Sequence, residues 1–186
     1  LAIGIIANTE KLGLENFKIK INKGHIVTNE FLETDEKGIY AIGDVTKGPW
    51  LAHKASHEGI LCVENIAGHK DLKPIDKSSI PGCTYCRPQV ASIGMTEEQA
   101  RSNNLNLKIG KFPFIGNGKA IALGESEGLI KTIFDKDTGE LIGAHMVGPE
   151  VTELIQGFSI AKKLETTENE LMQTIFPCLL YTSDAA

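Results

Sequence analysis

The chain is organised around residues 34–55, and within them around one abrupt stop. Ile39-Tyr-Ala-Ile42 is a short apolar run with the composition of a parallel strand buried on both faces. It ends at Gly43 and Asp44, where a residue without Cβ lets a ligand approach the backbone and the next residue offers a carboxylate. In open α/β sheets ligands sit at the carboxyl ends of the strands. A carboxylate there suits a sugar-type hydroxyl and repels a phosphate. A strand followed by Gly-Asp is also consistent with a plain turn, and the residues alone leave both readings open.

The remaining residues place this stretch between two kinds of secondary-structure pattern. Residues 1–6 are apolar and read as a buried strand, and Phe17 to Val27 reads as a hairpin turning at Asn22-Lys-Gly24. From Leu51 to Gly68, Leu51, Ala55, Gly59, Cys62, Val63, Ile66 and Ala67 recur at helical spacing, with Gly48-Pro49 before the start and Gly68 at the stop. Residues 71–79 are polar, contain a proline and read as a linker. Beyond them the pattern turns to strands at residues 90–94, 105–114, 128–134 and 141–147, the last two joined by a loop ending at Gly139. Thr96 stands as N-cap before two acids. A wide apolar helix covers residues 151–164 and a short one follows Thr166 or Thr167. The expected architecture is therefore α/β followed by α+β, the second part an antiparallel sheet of three or four strands with helices on one side. The excess of apolar positions on the 151–164 helix points to a partner as well as a core.

Charge and cysteines narrow the function classes. A formal net charge of −5 is unfavourable for nucleic acid or an anionic membrane surface, and no apolar run is long enough to span a bilayer. Four cysteines are present, at 62, 83, 86 and 178. Cys83 and Cys86 have the spacing of half a zinc site or a redox pair, but no second ligand pair accompanies them. They read as two incidental thiols in a loop entering a strand, or else as a labile disulfide or adventitious metal site. Cys62 reads as a small buried hydrophobe, His57 and His69 as solvent-facing, and His145 as a packed residue of its strand in preference to a ligand.

The pattern Thr34-x4-Ile39-Tyr-Ala-Ile-Gly-Asp44, then Gly48-Pro-Trp-Leu-Ala-His-Lys-Ala55 and Glu58-Gly59, resembles the second flavin-contacting segment of the pyridine nucleotide–disulfide oxidoreductases. Leu51-Ala-His-Lys-Ala55 is similar to the dihydrolipoyl dehydrogenase branch of that family. Gly4, Asn8, Leu12, Gly13, Leu14 and Glu15, and Tyr85-x-x-Pro88 through Thr96-Glu97, extend the resemblance from Leu1 to about Pro177. It departs at Ile5, Ala7, Cys86 and Gln89, where Arg, Pro, Thr and Glu are usual.

The resemblance implies the following. Residues 1–70 are the end of an FAD/NAD-binding, Rossmann-like region, 71–79 a linker, 80–177 an interface (dimerisation) domain, and 178–186 a tail that departs from the family. FAD is contacted by Gly43, Asp44, Trp50, Leu51, Ala52 and His53, more through backbone than side chain, with His53 as a proton carrier the alternative; NAD lies beside Gly4, which otherwise serves only a chain crossing. No metal is implied. The whole enzyme is a cytoplasmic, NAD-dependent flavoprotein that reoxidises protein-bound dihydrolipoamide. Its partners are a second copy, making a homodimer, and the lipoyl-bearing acyltransferase of a 2-oxo acid dehydrogenase complex. Alternatives are another disulfide reductase of the family and a non-catalytic dimerisation module.

Three family features are missing from the sequence. The catalytic His and its supporting Glu are replaced by Cys178 and Ser183, neither of which supplies an imidazole or its carboxylate. No Gly-x-Gly-x-x-Gly loop follows a strand and no Cys-x4-Cys dithiol is present; both are expected upstream of Leu1. The chain by itself is expected to be inactive.

Overall fold

A computed structural model describes residues 3–176. The chain divides into two compact units, residues 1–77 and 78–186.

The first unit is poor in regular structure. Its hairpin pairs β1 (Ile21–Asn22) with β2 (His25–Ile26) in antiparallel register, Ile21 opposite Ile26. Lys23 and Gly24 turn the chain with positive φ. Over the described residues 3–6, the strand expected at residues 1–6 does not form: Ile3, Ile5 and Ile6 are exposed and without strand pairing. Nor does the run Ile39 to Ile42 become a strand. It makes one isolated antiparallel bridge, Glu33 to Tyr40, with Ala41 buried and Ile42 exposed. Composition favours strand in both places, but a strand needs a neighbour, and no neighbouring strand of a sheet is supplied among the described residues. A tight loop holds the second run instead. Thr34 accounts for its place in the motif here, since its backbone N–H and hydroxyl both donate to the Ile39 carbonyl, at 3.0 and 2.9 Å.

The helix of this unit, α1 (Ala52–Ile66), forms where the spacing places it and ends before Gly68, which has φ +74°. Its buried face overlaps the apolar stripe read from the sequence only in part, at Cys62. Lys54, Glu58, Leu61 and Cys62 are buried, whereas Val63 and Ile66 are exposed. Leu61 and Cys62 meet Leu32, with Phe31, Tyr40, Leu72 and Ile75 packed around them. Leu72 and Ile75 thus anchor part of the 71–79 stretch on this small core. Burial pushes the Cys62 thiol up, with the nearby Glu33 acting in the same direction.

The second unit is a five-stranded antiparallel sheet in the order β3-β4-β7-β6-β5. The strands are β3 (Gly82–Thr84), β4 (Gln89–Gly94), β5 (Leu107–Pro113), β6 (Leu129–Asp135) and β7 (Leu141–Gly148). β3 is additional to the expected strands: three residues containing Cys83 are too short to show a period of two, and pairing with β4 (Cys83 opposite Ala91) defines them. Cys83 is therefore half-buried within a strand and Cys86 exposed beyond it. Burial raises the Cys83 thiol, with Glu153 a smaller contribution. Helix α4 (Val151–Lys163) packs on β4 and β7. Val151, Leu154, Ile155, Phe158 and Ala161 join Ile93, Ile130, Phe134, Leu141 and Met146 in one core. Ile160 and Leu164 remain exposed on the other side of α4. His145 is half-buried, its Nε2 3.0 Å from the Met95 carbonyl oxygen, as a packed strand residue.

Short helices carry the expected caps. Thr96 and Gln99 form a capping box on α2 (Glu97–Ser102), and Thr167 and Glu170 do the same on α5 (Glu168–Gln173). A further short helix not expected from the sequence, α3 (Gly118–Ala122), is capped by Asn117, whose side-chain oxygen accepts from the Ala120 N–H at 2.9 Å. Glu97 is also the centre of a charge cluster, with Lys131 Nζ at 2.6 Å and Arg101 at 2.8 Å.

Gly94 has φ +77°, and a Cβ there would lie 2.1 Å from the Ile142 carbonyl oxygen. Gly94→Ala combines backbone strain with a collision that only main-chain movement relieves, a loss of about 3 kcal/mol, read as a lowered urea midpoint by circular dichroism. Glu97 is held at about 2 by hydrogen bonds from Lys131 and then Arg101. Its folded-state value lies below the ordinary 4.5, so its stabilisation is complete above that value and is lost as pH falls towards 2. A carboxyl-carbon NMR titration will show a midpoint near 2 for Glu97, and Lys131→Met will move it upward.

Candidate functional site

The turn at Gly43 is built by a buried charge pair. Ile42 is extended, and Gly43–Val45 then forms one 3-10 turn in which Gly43 has φ +73°. A Cβ on Gly43 would sit 3.4 Å from the Ala55 methyl, so glycine meets both the conformation and the close packing on α1. Lys54 and Glu58 lie one helical turn apart on the face of α1 that meets this turn. Their side chains are 2% and 9% exposed and their charged atoms are 3.0 Å apart.

Every charged hydrogen-bonding group in the pair has a partner. The Lys54 ammonium has three N–H donors, and three acceptors stand at 3.0–3.1 Å: Glu58 Oε1, the Gly43 carbonyl and Thr46 Oγ1. The other Glu58 oxygen, Oε2, accepts the Gly43 N–H at 2.7 Å. The Thr46 hydroxyl donates to the same Gly43 carbonyl at 2.8 Å. Both backbone groups of Gly43 are thereby tied to helix α1 by charge-assisted bonds, which are shorter and stronger than neutral ones.

The candidate residues sit around this knot. Asp44 is exposed on the outer side of the turn, one residue beyond the clamped glycine. Leu51 is the N-cap of α1 and makes no side-chain cap bond, and Ala52 and His53 are exposed in the first turn. Trp50 is half-buried, with its indole stacked on His25 at a centroid distance of 5.7 Å. Its Nε1 is buried without a hydrogen-bond partner. Gly4 is exposed with φ +73°, and a Cβ there would meet nothing within 4 Å. The structure thus brings Gly43 and Asp44 onto the N-terminal half of α1, while Gly4 stands elsewhere in an unpaired segment. Cys178 and Ser183 lie outside the described residues. No cluster of three or more His, Cys, Asp or Glu suited to a metal ion occurs among the described residues.

Lys54 and Glu58 are read from the sequence only as positions of the resembling segment, with no role assigned, and Thr46 is not singled out. Lys and Glu four apart on a helix is ordinarily a surface pair worth little, and only the turn folded over it buries it. The signal available was Lys54-x3-Glu58 occupying the same face as Leu61 and Cys62.

Removing one partner of a buried pair costs about 3–5 kcal/mol, because the other charge is left uncompensated. Lys54→Met is expected to unfold the first unit in the intact chain, since that unit's own core is small. Trp50 is the sole tryptophan, so its emission will shift to that of a hydrated indole while the sheet signal of residues 78–176 persists. The double substitution Lys54→Met with Glu58→Leu, which leaves no orphan charge, is expected to recover more than half of the loss.

Comparison with known proteins identifies the family. The family described as pyridine nucleotide-disulphide oxidoreductase, dimerisation domain, matches residues 80–183, and that described as pyridine nucleotide-disulphide oxidoreductase matches residues 1–59. The dihydrolipoyl dehydrogenase of Rhizobium etli is 58% identical over 95% of this chain, and that of Zymomonas mobilis 56% identical over 95%. The chain spans 37% and 38% of the lengths of these two relatives. Among solved structures, LpdA of Mycobacterium tuberculosis superposes with a TM-score of 0.85 at 28% identity, over 94% of this chain and 38% of that one. The Cu(II) complex of the HOCl-induced flavoprotein disulfide reductase RclA of Escherichia coli gives 0.90 at 25% identity, over 99% and 43%. With both units matched in chain order, this chain belongs to the pyridine nucleotide–disulphide oxidoreductase family.

Proposed function

We propose that the chain is the C-terminal portion of a flavin-dependent dihydrolipoyl dehydrogenase, within which residues 1–70 complete the FAD/NAD-binding region and residues 80–177 form the interface domain. The observation that carries the reading is the Gly43–Asp44 turn clamped to the uncapped end of α1. In the whole enzyme FAD would carry electrons between a dithiol and NAD; this sequence contains no Cys-x4-Cys. The isolated chain is therefore a contributor to the cofactor site and not a catalyst.

The residues present fit such a group. The first-turn N–H groups of α1 have no side-chain cap and carry the positive end of the helix dipole, which favours an electron-rich ring edge. Trp50, Leu51, Ala52 and His53 form the entry to that helix. Asp44 offers an exposed acceptor for a polyol hydroxyl, and its position is held because both backbone groups of Gly43 are fixed from behind. The buried, unpartnered Trp50 Nε1 is a further donor beside the same entry. Gly4, with open space where a side chain would stand, leaves its backbone approachable by NAD.

The second unit would join two copies as a homodimer through apolar positions that its own core does not use, among them Ile160 and Leu164 on α4. The lipoyl-bearing acyltransferase of a 2-oxo acid dehydrogenase complex is the partner that the proposed reaction requires. No helix among the described residues is long and apolar enough to cross a membrane, which is compatible with a cytoplasmic enzyme.

Two measurements test this reading. The chain fused behind the missing portion of the Rhizobium etli relative is expected to take up FAD, seen as the visible flavin absorbance after gel filtration. Asp44→Ala in that fusion should weaken FAD by about 10- to 100-fold, the worth of one charge-assisted hydrogen bond; unchanged affinity would remove Asp44 from the site. Sedimentation of the unfused chain is expected to give twice its monomer mass, with Leu164→Glu shifting it to monomer. A parent chain that is monomeric at all concentrations would refute the homodimer.

A further inference from the structure

The sequence contains one Asn-Gly step, Asn117-Gly118. In a flexible chain such a step reacts with itself. The Gly118 backbone nitrogen, unhindered by a Cβ, attacks the Asn117 side-chain carbonyl carbon. A C–N bond forms and ammonia leaves, and water then opens the succinimide ring to aspartate or to β-linked isoaspartate. No electrons are exchanged and no cofactor is needed.

The fold holds the two reacting atoms apart. Asn117 is fully buried, whereas Gly118 beside it is exposed. The Asn117 side-chain oxygen accepts the Ala120 N–H at 2.9 Å, and its backbone N–H donates to the Phe114 carbonyl at 2.9 Å. Phe114 and Ala120 are themselves fully buried members of the core that α4 closes. Lys119 meets Glu150 at the start of α4, 2.6 Å away. Ring closure requires the Gly118 nitrogen to eclipse the Asn117 Cβ, which a tetrahedral Cα places at ψ of about −120°. Asn117 has φ −105° and ψ 120°. Its ψ must therefore turn by about 120°, into a region that residues with a Cβ rarely occupy. That rotation breaks the cap bond and withdraws the side chain from the core.

We propose that Asn117-Gly118 is a conformation-gated modification site, inert in the folded chain and converted to aspartate or isoaspartate at position 117 when the segment around α3 opens. The rate in the folded protein is then the rate of the open chain multiplied by the fraction open. The two products differ in consequence. Aspartate keeps the α-linked backbone and an oxygen suited to an N-cap. Isoaspartate adds a main-chain carbon before Gly118 and leaves an α-carboxylate where the capping amide stood. An extra carbon and a charge at a position without solvent exposure do not refit the packing of Phe114 and Ala120. A chain that has opened and aged thus carries a permanent mark that keeps α3 from docking again.

The test is ageing of the full 186-residue chain at mildly alkaline pH, in buffer and in concentrated urea. Conversion at residue 117 is read by peptide mass spectrometry as replacement of NH2 by OH, and isoaspartate is counted by enzymatic methylation of its free α-carboxyl. Conversion in buffer should be at least about 100-fold slower than in urea, reflecting the small open fraction of a core-anchored segment. Gly118→Ala is compared with the parent chain in urea, where its ability to fold is immaterial. It should slow conversion at least about tenfold, because a Cβ then crowds the attacking nitrogen. After ageing in urea and refolding by dilution, chains carrying isoaspartate at position 117, separated by ion exchange, should have a lower urea midpoint than unmodified chains of the same sample. Equal rates in buffer and urea would overturn the gating. Equal rates for the parent chain and Gly118→Ala in urea would overturn Gly118 as the nucleophile. An unchanged midpoint for the isoaspartate chains would overturn the claim that the mark keeps α3 from docking.

Discussion

The interaction on which the first unit depends is the contact of Lys54 and Glu58 with Gly43. Burying two charges is unfavourable unless each is fully hydrogen-bonded, and here the ammonium finds three acceptors while the carboxylate takes both the ammonium and a backbone N–H. The pair contributes less as net stability than as specificity. A turn shifted by one residue would strand a charge in the interior, so one arrangement of residues 42–46 on α1 is favoured over its neighbours. Asp44 and the open end of α1 inherit their positions from that constraint.

The second unit is stabilised by different physics. Its sheet is antiparallel throughout, each strand pairing with a neighbour from the same unit, and α4 covers it with a continuous apolar face. Within such a layer the central strands β4, β7 and β6 satisfy their backbone on both sides. Its polar features lie at the ends of elements, in the capping boxes of α2 and α5 and in the Glu97 cluster, where they fix boundaries more than they add stability. The geometry proposed for the cofactor is thus concentrated in the unit with the smaller core, and the antiparallel layer follows it in sequence.

Much of the architecture could be read from the residues, for identifiable reasons. Helices α1 and α4 are long enough for a 3.6-residue period to emerge, Thr96 and Thr167 announce their helices, and the hairpin at Asn22-Lys-Gly24 is local chemistry. β3 escaped because three residues carry no period. The runs 3–6 and 39–42 misled because strand composition records what a segment can do beside another strand and is silent on whether that strand is present. On α1 the stripe of apolar residues overlaps the inward side only in part: Cys62 is buried and Ala55 and Gly59 half-buried, while Val63 and Ile66 are exposed and Lys54 is covered.

What the sequence determined alone is therefore local or motif-borne: the positive-φ glycines at turns, the caps, the helical spans, the order of the two units and membership of the family. Tertiary structure decided which side of α1 faces inward, that a Lys-x3-Glu pair is a buried clamp, and that Asp44 faces outward from a fixed turn. The reason is that solvent exposure is a property of the assembled fold. The same two charges four residues apart would contribute almost nothing on a surface, and they become a constraint on the whole unit only when the chain folds back to place Gly43 and Thr46 over them.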